Sequence, residues 1–565
     1  VVARSSPEDD RRVDDIGGST SAAQLPGFAR TAIVEHLELD LVGREQPVGA
    51  INAPWHASRQ PRVTDPAPWY RHRQMIIVPA PAATGAPRAR PNLVLAICCT
   101  SLLMVSMDAT IVNVALPAIR RDLMASMSGL QWVIDAYTMV VASLLMLAGS
   151  LADRFGRRRT FQTGLAVFTA ASVLCSAAPG LDSLIVFRMV QALGASMLNP
   201  VAMSIITNTF IEPRARARAI GVWGAVVGIS MALGPLVGGG LTQVIGWRSI
   251  FWINLPIGGA AIVLAQRFVP ESKAPRVRRI DPVGQLLVLA GLASLIFAVI
   301  EGPSHGWTSP LIGGLFAISA GAVIALVLYE PRRAEPLLDL RFFRSVPFAS
   351  ATVIAVSMYS AFSGFLFLNA LYLQEVRGLS AFDTGMYTLP LALAMSACAA
   401  ISGRLVGSRG TRPSLVIAGT ATALSALCLT RLDEAMPLAQ LVVIYVILGV
   451  GVGLGNPPIT NTAVSGMPRA QAGLAAAVAS TSRQVGAALG VALAGTIARP
   501  SSAGRGAGTG FSGATHAFWW LVVGVGLVMV ALGILSSGGW ARASAGRVAA
   551  LLDDPALPIR GADRS

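Results

Sequence analysis

The 565-residue chain is almost without lysine: of 44 basic residues, Lys273 is the single one that is not arginine. A phosphate-binding loop of the GxxxxGK[ST] type needs a lysine after glycine and before a hydroxyl residue. Lys273 stands instead in Glu271-Ser272-Lys273-Ala274, so ATP cannot drive this protein through such a loop. Charge of either sign is also scarce, at 13% of residues, against about 25% in an ordinary soluble domain. That excludes a water-soluble globule of this length. The five cysteines (Cys98, Cys99, Cys175, Cys398, Cys428) all lie in apolar stretches without CxxC or zinc spacing, and read as small packing residues. Histidine is equally thin, since three of five fall in the first 91 residues and only His305 and His516 remain. With no HExxH and no cluster of His, Cys and carboxylates at catalytic spacing, the expectation is no metal, no cofactor and no enzyme.

What the chain has in abundance is long apolar segments, 53% of its residues being hydrophobic. Fourteen runs recur, at 93–115, 130–151, 161–178, 183–207, 219–243, 249–268, 283–300, 310–329, 348–373, 384–407, 413–430, 438–461, 471–498 and 516–536. Each is near the roughly 20 residues that a helix needs to cross a bilayer core of about 30 Å. Runs this continuous exclude the alternating pattern of barrel strands, so the expected class is an all-α integral membrane protein. The run Gly449-Val-Gly451-Val-Gly453-Leu-Gly455 imitates a dinucleotide fingerprint, but it sits inside an apolar segment with no strand before it, and reads as a helix-packing face.

The net charge of +15 takes its meaning from position. With the N-terminus placed inside, alternate loops together with the last residues of the runs leading into them carry 20 Lys/Arg on the inner side and 7 on the outer, which is the positive-inside asymmetry. The expected location is the cytoplasmic membrane, multi-pass, with both termini cytoplasmic. The basic residues come in short clusters without interleaved aromatics, so no nucleic-acid partner is expected. Residues 1–91 are rich in Pro, Arg, Asp, Ser and Ala without periodicity, and read as disordered or as a mis-assigned extension. The chain begins with Val1, and Met75 is the expected natural start; N-terminal sequencing of the native protein checks this.

A few charges escape the loops. Asp108 interrupts the first run, where a mid-span carboxylate costs on the order of 2.5–3.5 kcal/mol on insertion scales, so it must face the bundle interior or water. It either exchanges a proton or binds a cation, or else it holds a fixed hydrogen bond to Thr110, Asn113 or a neighbouring helix. Arg188 in the fourth run is its natural electrostatic partner, as a tuning group or a fixed structural ion pair. Asp135 lies a few residues inside the second run, open to both solvation at an outer vestibule and proton binding. Glu301 and Glu375 end their runs and read as solvated, while Arg483 in the thirteenth reads as packing or pocket polarity.

Family resemblance enters through motifs. Gly149-Ser-Leu151-Ala-Asp153-Arg154-Phe155-Gly156-Arg157-Arg158-Arg159, between the second and third runs, resembles the GxLaDrxGrkxxl signature of the major facilitator superfamily. Met107-Asp108-Ala-Thr110-Ile-Val-Asn113-Val-Ala-Leu-Pro117 resembles the LDxTIVNVALP signature of its drug:proton antiporters with fourteen spans. Ser230-Met-Ala-Leu-Gly234-Pro235-Leu-Val-Gly238-Gly239 is similar to their antiporter motif, with Ser230 where glycine is usual, and Arg188-Met-Val-Gln191-Ala192 is similar to RxxqG with Ala192 replacing glycine. Gly246-Trp247-Arg248, Asn254-Leu-Pro256-Ile-Gly258 and Arg483-Gln484-Val-Gly486 also look like that group. Weakly, Gly403-Arg404-Leu405-Val-Gly407-Ser408-Arg409-Gly410 echoes the Gly149 loop 254 residues later, with Gly407 in place of Asp153.

The resemblance implies two six-helix halves, at 92–268 and 348–540, with two inserted helices and a cytoplasmic loop at 269–347 and a tail at 541–565. It implies export of small lipophilic molecules, cationic ones included, in exchange for protons by alternating access of a monomer in the bilayer. Proton coupling falls to Asp108, Arg188 and Asp135; the substrate pocket to Asn113, Gln191, Arg483 and Gln484. Gly149, Asp153, Arg154, Gly156 and Arg157 form the cytoplasmic gating loop, and Gly234, Pro235, Gly238 and Gly239 a seal or pivot between halves. An importer of metabolites on the same fold and a membrane-embedded sensor are the alternatives.

Overall fold

A computed structural model of the chain describes residues 90–273, 281–333, 336–468, 471–498 and 507–553. The extension expected at 1–91 therefore lies outside the described residues up to position 89. Among those described, the first half comprises α1 (Pro91–Leu123), α2 (Met127–Phe155), α3 (Arg157–Ser176), α4 (Leu181–Thr209), α5 (Pro213–Val244), the single turn α6 (Ser249–Trp252) and α7 (Asn254–Phe268). An inserted hairpin follows, α8 (Pro282–His305) and α9 (Pro310–Tyr329). The second half is α10 (Val346–Leu371), α11 (Ala381–Arg409), α12 (Thr411–Leu429), α13 (Leu438–Val464), α14 (Ala472–Ile497) and α15 (Ala507–Leu535), and α16 (Gly539–Asp553) closes the described chain.

The ends of these helices are written in the sequence. Prolines occupy the first turn of α1, α8, α9 and α10, where the missing N–H is no loss. Ser126, Asp281, Ser309 and Ser380 cap α2, α8, α9 and α11 by accepting from backbone N–H groups of the first turn. Helix meets helix through small residues. Gly239 of α5 lies so close to Ala381 of α11 that a Cβ there would stand 2.3 Å from its carbonyl oxygen, and Gly385 of α11 approaches Pro235 to the same degree.

Every one of the fourteen apolar runs carries helix. Twelve of the described helical spans are long and apolar enough to cross a membrane. α3 and α14 fall outside those twelve: α3 opens on three arginines, and α14 is built largely of Ala, Gly and Ser around Arg483 and Gln484, which dilutes its apolarity. The run 249–268 is broken at Ile253 into α6 and α7, so its span is assembled from two pieces.

The helices pair across two halves. α1 packs on α5 and α4, α3 on α4, α10 on α14, α11 on α13 and α12 on α15; the halves meet where α2 touches α14 and α5 touches α11. The inserted hairpin lies along the α2–α14 seam. There Gln285 and Val299 of α8 bond to Ser143 of α2 and Thr496 of α14, and Glu301 accepts from Trp132 at 3.2 Å. Glu301 is thus engaged rather than solvated, its side chain only 16% exposed.

One end of the bundle collects the arginines of the α2–α3, α4–α5 and α11–α12 turns. At the opposite, arginine-poor end the halves are tied together. Arg120 of α1 pairs with Glu375 beyond α10 at 2.6 Å, Gln374 donates to the Val114 carbonyl, and Gln131 of α2 donates to the Val491 and Ala492 carbonyls of α14. Among the described residues, the side-chain hydrogen bonds between the halves all lie at this end. Towards the arginine-rich end contact continues to Gly228 against Ser396, beyond which Gly221 and Gly224 of α5 and Gly403 and Gly407 of α11 have open space beside them. The halves are closed at the arginine-poor end and parted at the other.

Two glycines make the turns that repeat. Gly156 (φ +109°) joins α2 to α3 and Gly410 (φ +79°), 254 residues on, joins α11 to α12, each supplying a backbone conformation that L side chains rarely adopt. A Cβ at Gly156 would also come within 2.6 Å of the Glu271 carboxylate. Gly156→Ala should lower stability by about 1–3 kcal/mol, read as a fall in the thermal midpoint of the purified protein, whereas Gly149→Ala, with open space at its Cβ, should leave the midpoint within a degree or two.

Candidate functional site

The charges that escaped the loops meet in the first half. Arg188 of α4 and Asp108 of α1 are each 1% exposed, and the guanidinium donates to the carboxylate at 2.6 Å. The pair is held by Gln191 of α4 itself and by groups from four further helices or turns of helix. Gln191, one turn along α4, accepts from Arg188 at 2.6 Å and donates to Asp108 at 3.0 Å and to Ser172 of α3 at 2.8 Å. Asn254, the first residue of α7, donates to Ser172 at 3.2 Å and to Asp108 at 3.5 Å. Arg188 Nε donates to the Val133 carbonyl of α2, and the guanidinium lies over the Tyr137 ring at 4.2 Å and near that of Phe251 in α6 at 5.9 Å.

Two buried ions this well satisfied offset the cost of leaving water through their mutual attraction and the added hydrogen bonds. The carboxylate's fixed partner is Arg188; Thr110 and Asn113 bond instead to their own helix backbone. Of the residues in this network, Asp108, Arg188 and Gln191 were legible as chemistry. Ser172, Tyr137 and Asn254 were not assigned a role: Asn254 could have been found as the single asparagine in its apolar run, while Ser172 is one of many serines.

Asp135 is buried in a different way. It is 0% exposed, and neither carboxylate oxygen has a hydrogen-bond partner among the described residues. In this conformation Asp135 is enclosed and not solvated at an outer vestibule; α2 packs on α4, α8 and α14. Helical register places it four residues after Gln131, on the stripe of α2 that meets α14, and two residues from both Val133 and Tyr137, which face Arg188. Asp135 thus belongs to the seam between halves and not to the Asp108 network.

The other expected residues are distributed. Asn113, 6% exposed with its side-chain oxygen unpartnered, lines a small cleft of about 230 Å³ between the halves with Thr110, Pro235, Asn369, Thr384 and Thr388. Gly234 and Gly238 pack against Thr110 and Ile111 of α1 in their own half, while Gly239 and Pro235 reach α11 in the other. Asp153 pairs with Arg157 at 3.1 Å, and Glu271, beyond α7, accepts from the Arg158 backbone N–H at 3.1 Å. Arg154 is exposed beside the Phe155 ring. Arg483 and Gln484 are partly exposed on α14 in the second half, Arg483 donating to Thr460 at 3.0 Å. No group of three or more His, Cys, Asp or Glu that could hold a metal occurs among the described residues.

Removing one ion of the central pair strands the other. Arg188→Met should destabilise the protein by about 3–5 kcal/mol, and adding Asp108→Asn should recover part of that loss. A double-mutant cycle on thermal midpoints checks it; additive effects would contradict the pairing.

Comparison with known proteins agrees with this architecture. The family model described as the Major Facilitator Superfamily matches residues 98–491. The chain is 37% identical over 397 residues to the multidrug resistance protein Stp of Mycobacterium tuberculosis, covering 70% of this chain and 74% of that one. It is 34% identical over 441 residues to the methylenomycin A resistance protein of Bacillus subtilis, covering 78% and 92%. To the tetracenomycin C resistance and export protein of Streptomyces glaucescens it is 35% identical over 411 residues, covering 73% and 76%. Among solved structures, the human organic anion transporter MFSD10 (TETRAN) superposes with a TM-score of 0.54 at 15% identity, over 79% of this chain and 100% of that one, which is a likeness of fold.

Proposed function

As the chain belongs to the major facilitator superfamily, a family of multi-pass membrane transporters and not of enzymes, we propose that it exports lipophilic drugs or antibiotics in exchange for protons. Relatives named for multidrug resistance, methylenomycin A resistance and tetracenomycin C export support the direction and the substrate type. The arginine-rich end is the cytoplasmic one by the positive-inside asymmetry, so the conformation described is closed outside and open inside, in the cytoplasmic membrane. The further expectation of fourteen spans rests on counting α3, α14 and the α6–α7 pair with the other long helices.

The observation that carries proton coupling is Asp135. An isolated ionised carboxylate cannot be held cheaply in an apolar seam, so this outward-closed packing of α2 on α14 tolerates Asp135 with a proton on it. Loss of that proton leaves an uncompensated charge that is relieved when the seam opens and water reaches it. Protonation from outside therefore favours the inward-open form described; passage of the proton on to the cytoplasm requires the packing around Asp135 to loosen on that side, after which the bare carboxylate favours return to the outward-open form, the order an antiporter needs. Asp108 and Arg188 act beside it: their network fixes α1, α2, α3, α4 and α7 as one block that moves as a body, and Arg188 links that block to α2 on either side of Asp135 through Val133 and Tyr137. Among the gating-loop residues, Asp153 is bound to Arg157 within its own half in this open form, and is available to meet the second half on closure.

The test is drug-driven proton movement, followed with a pH-sensitive dye inside proteoliposomes across a panel of lipophilic antibiotics and dyes. Asp135→Asn should abolish it while leaving gradient-free exchange of substrate across the membrane, and Asp135→Glu should retain a measurable part. Undiminished proton movement in Asp135→Asn would reject the assignment.

A further inference from the structure

The two halves differ in the sign of the charge they keep inside the membrane. The first half holds two acids buried inside its helices, Asp108 and Asp135. From residue 435 to residue 552 the sequence contains no Asp or Glu, and α10 and α12 contain none either. Arg483 stands in the middle of this acid-free region. It lies eleven residues from the start of α14, about 16 Å along the helix axis, too deep for the side chain to reach the interface by snorkelling.

Its surroundings are polar and neutral. Its guanidinium donates to Thr460 of α13 at 3.0 Å and lies near enough to act electrostatically on the Tyr359 phenol of α10, which itself donates to Asn456 of α13 at 3.3 Å. Among the described residues no carboxylate lies within ion-pair distance of Arg483. This is the opposite of Arg188, which is 1% exposed and fully matched by Asp108, Gln191 and Val133. Arg483, Gln484, Tyr359, Asn456 and Thr460 are all partly exposed. Gln484 is one heptad from Val491 and so shares the stripe of α14 that faces α2, on the side where the halves have parted. Arg483 is one heptad from Gly490, which packs on Ser360 of α10, so the cluster lies between α14, α10 and α13 with Gln484 at its edge toward α2.

A membrane-embedded cation with five donors, no anionic partner and partial exposure lacks one thing, a planar anion that can accept from the fork. We propose that Arg483 anchors an acidic group, a carboxylate or phenolate, on the exported molecule, with Tyr359, Asn456, Thr460 and Gln484 as neutral hydrogen-bonding neighbours. The inference rests on the export reading and narrows it: the preferred substrates are lipophilic acids, and the cationic compounds admitted by the sequence are disfavoured. The acids of the first half do not offset this, since Asp108 is consumed by Arg188 and Asp135 is enclosed.

Binding by the purified full-length protein tests this without any proton gradient. Fluorescein carries both a carboxylate and a phenolate; rhodamine 6G has the same xanthene frame, a positive charge and no free acid. Fluorescence anisotropy should show fluorescein bound at least tenfold more tightly than rhodamine 6G. Arg483→Gln should weaken fluorescein about tenfold, the loss of about one charge-assisted hydrogen bond, with rhodamine 6G unchanged, and Arg483→Lys should keep most of the affinity. Preference of the unaltered protein for rhodamine 6G, absence of fluorescein binding, or equal fluorescein affinity in Arg483→Gln would each overturn the proposal. Because no gradient is involved, loss of proton-driven transport with fluorescein binding intact would reject the coupling reading and leave this one standing.

Discussion

The structure depends on one ion pair that water cannot reach. Asp108 and Arg188 sit 2.6 Å apart on neighbouring helices, each 1% exposed, and each is stable there only while the other is present. Their satisfaction recruits Gln191, Ser172, Asn254, the Val133 carbonyl and the Tyr137 face. The first half is consequently tied together at its centre by directional bonds that fail together if one member shifts. Motion is left to the seams between halves, where contacts are glycine against backbone or a few bonds at one end.

From this follows a division of labour between the acids. A carboxylate already matched by a guanidinium is a poor place to keep an exchangeable proton, because protonation would leave the arginine alone. Asp135 has no such partner and lies on the face of α2 that closes against α14. The second half repeats the glycine turn of the first at Gly410 but has Gly407 where the first has Asp153, and no acid in its last four membrane helices. The two halves thus share the glycine turn and differ in charge, with buried acids in the helices of the first and an arginine without a carboxylate partner among the described residues in the second.

Much of this was legible in sequence because a membrane restricts the options so severely. Apolar runs located the helices, arginine clusters marked one end, and a charge inside a run had to be functional or paired. The break at Ile253 was not legible, since Gly246-Trp247-Arg248 and Pro256 give turn signals on both sides of it. Nor was the burial of Asp135: its place in the run put it near the end, whereas α2 also packs on α8 and α14, which begin 147 and 337 residues further along the chain. The role of Asn254 was hidden for a related reason, because only the α6–α7 break turns its side chain toward Asp108. Long-range partners of this kind follow from packing, which periodicity within one helix does not encode.

The central claim is that Asp135, and not the Arg188-paired Asp108, carries the exchangeable proton in this conformation. Infrared difference spectroscopy of the reconstituted protein through a pH jump reads protonated carboxyl groups directly by their C=O stretch. The account predicts a carboxylic-acid band that disappears in Asp135→Asn and persists in Asp108→Asn. A band lost in Asp108→Asn and kept in Asp135→Asn would contradict it.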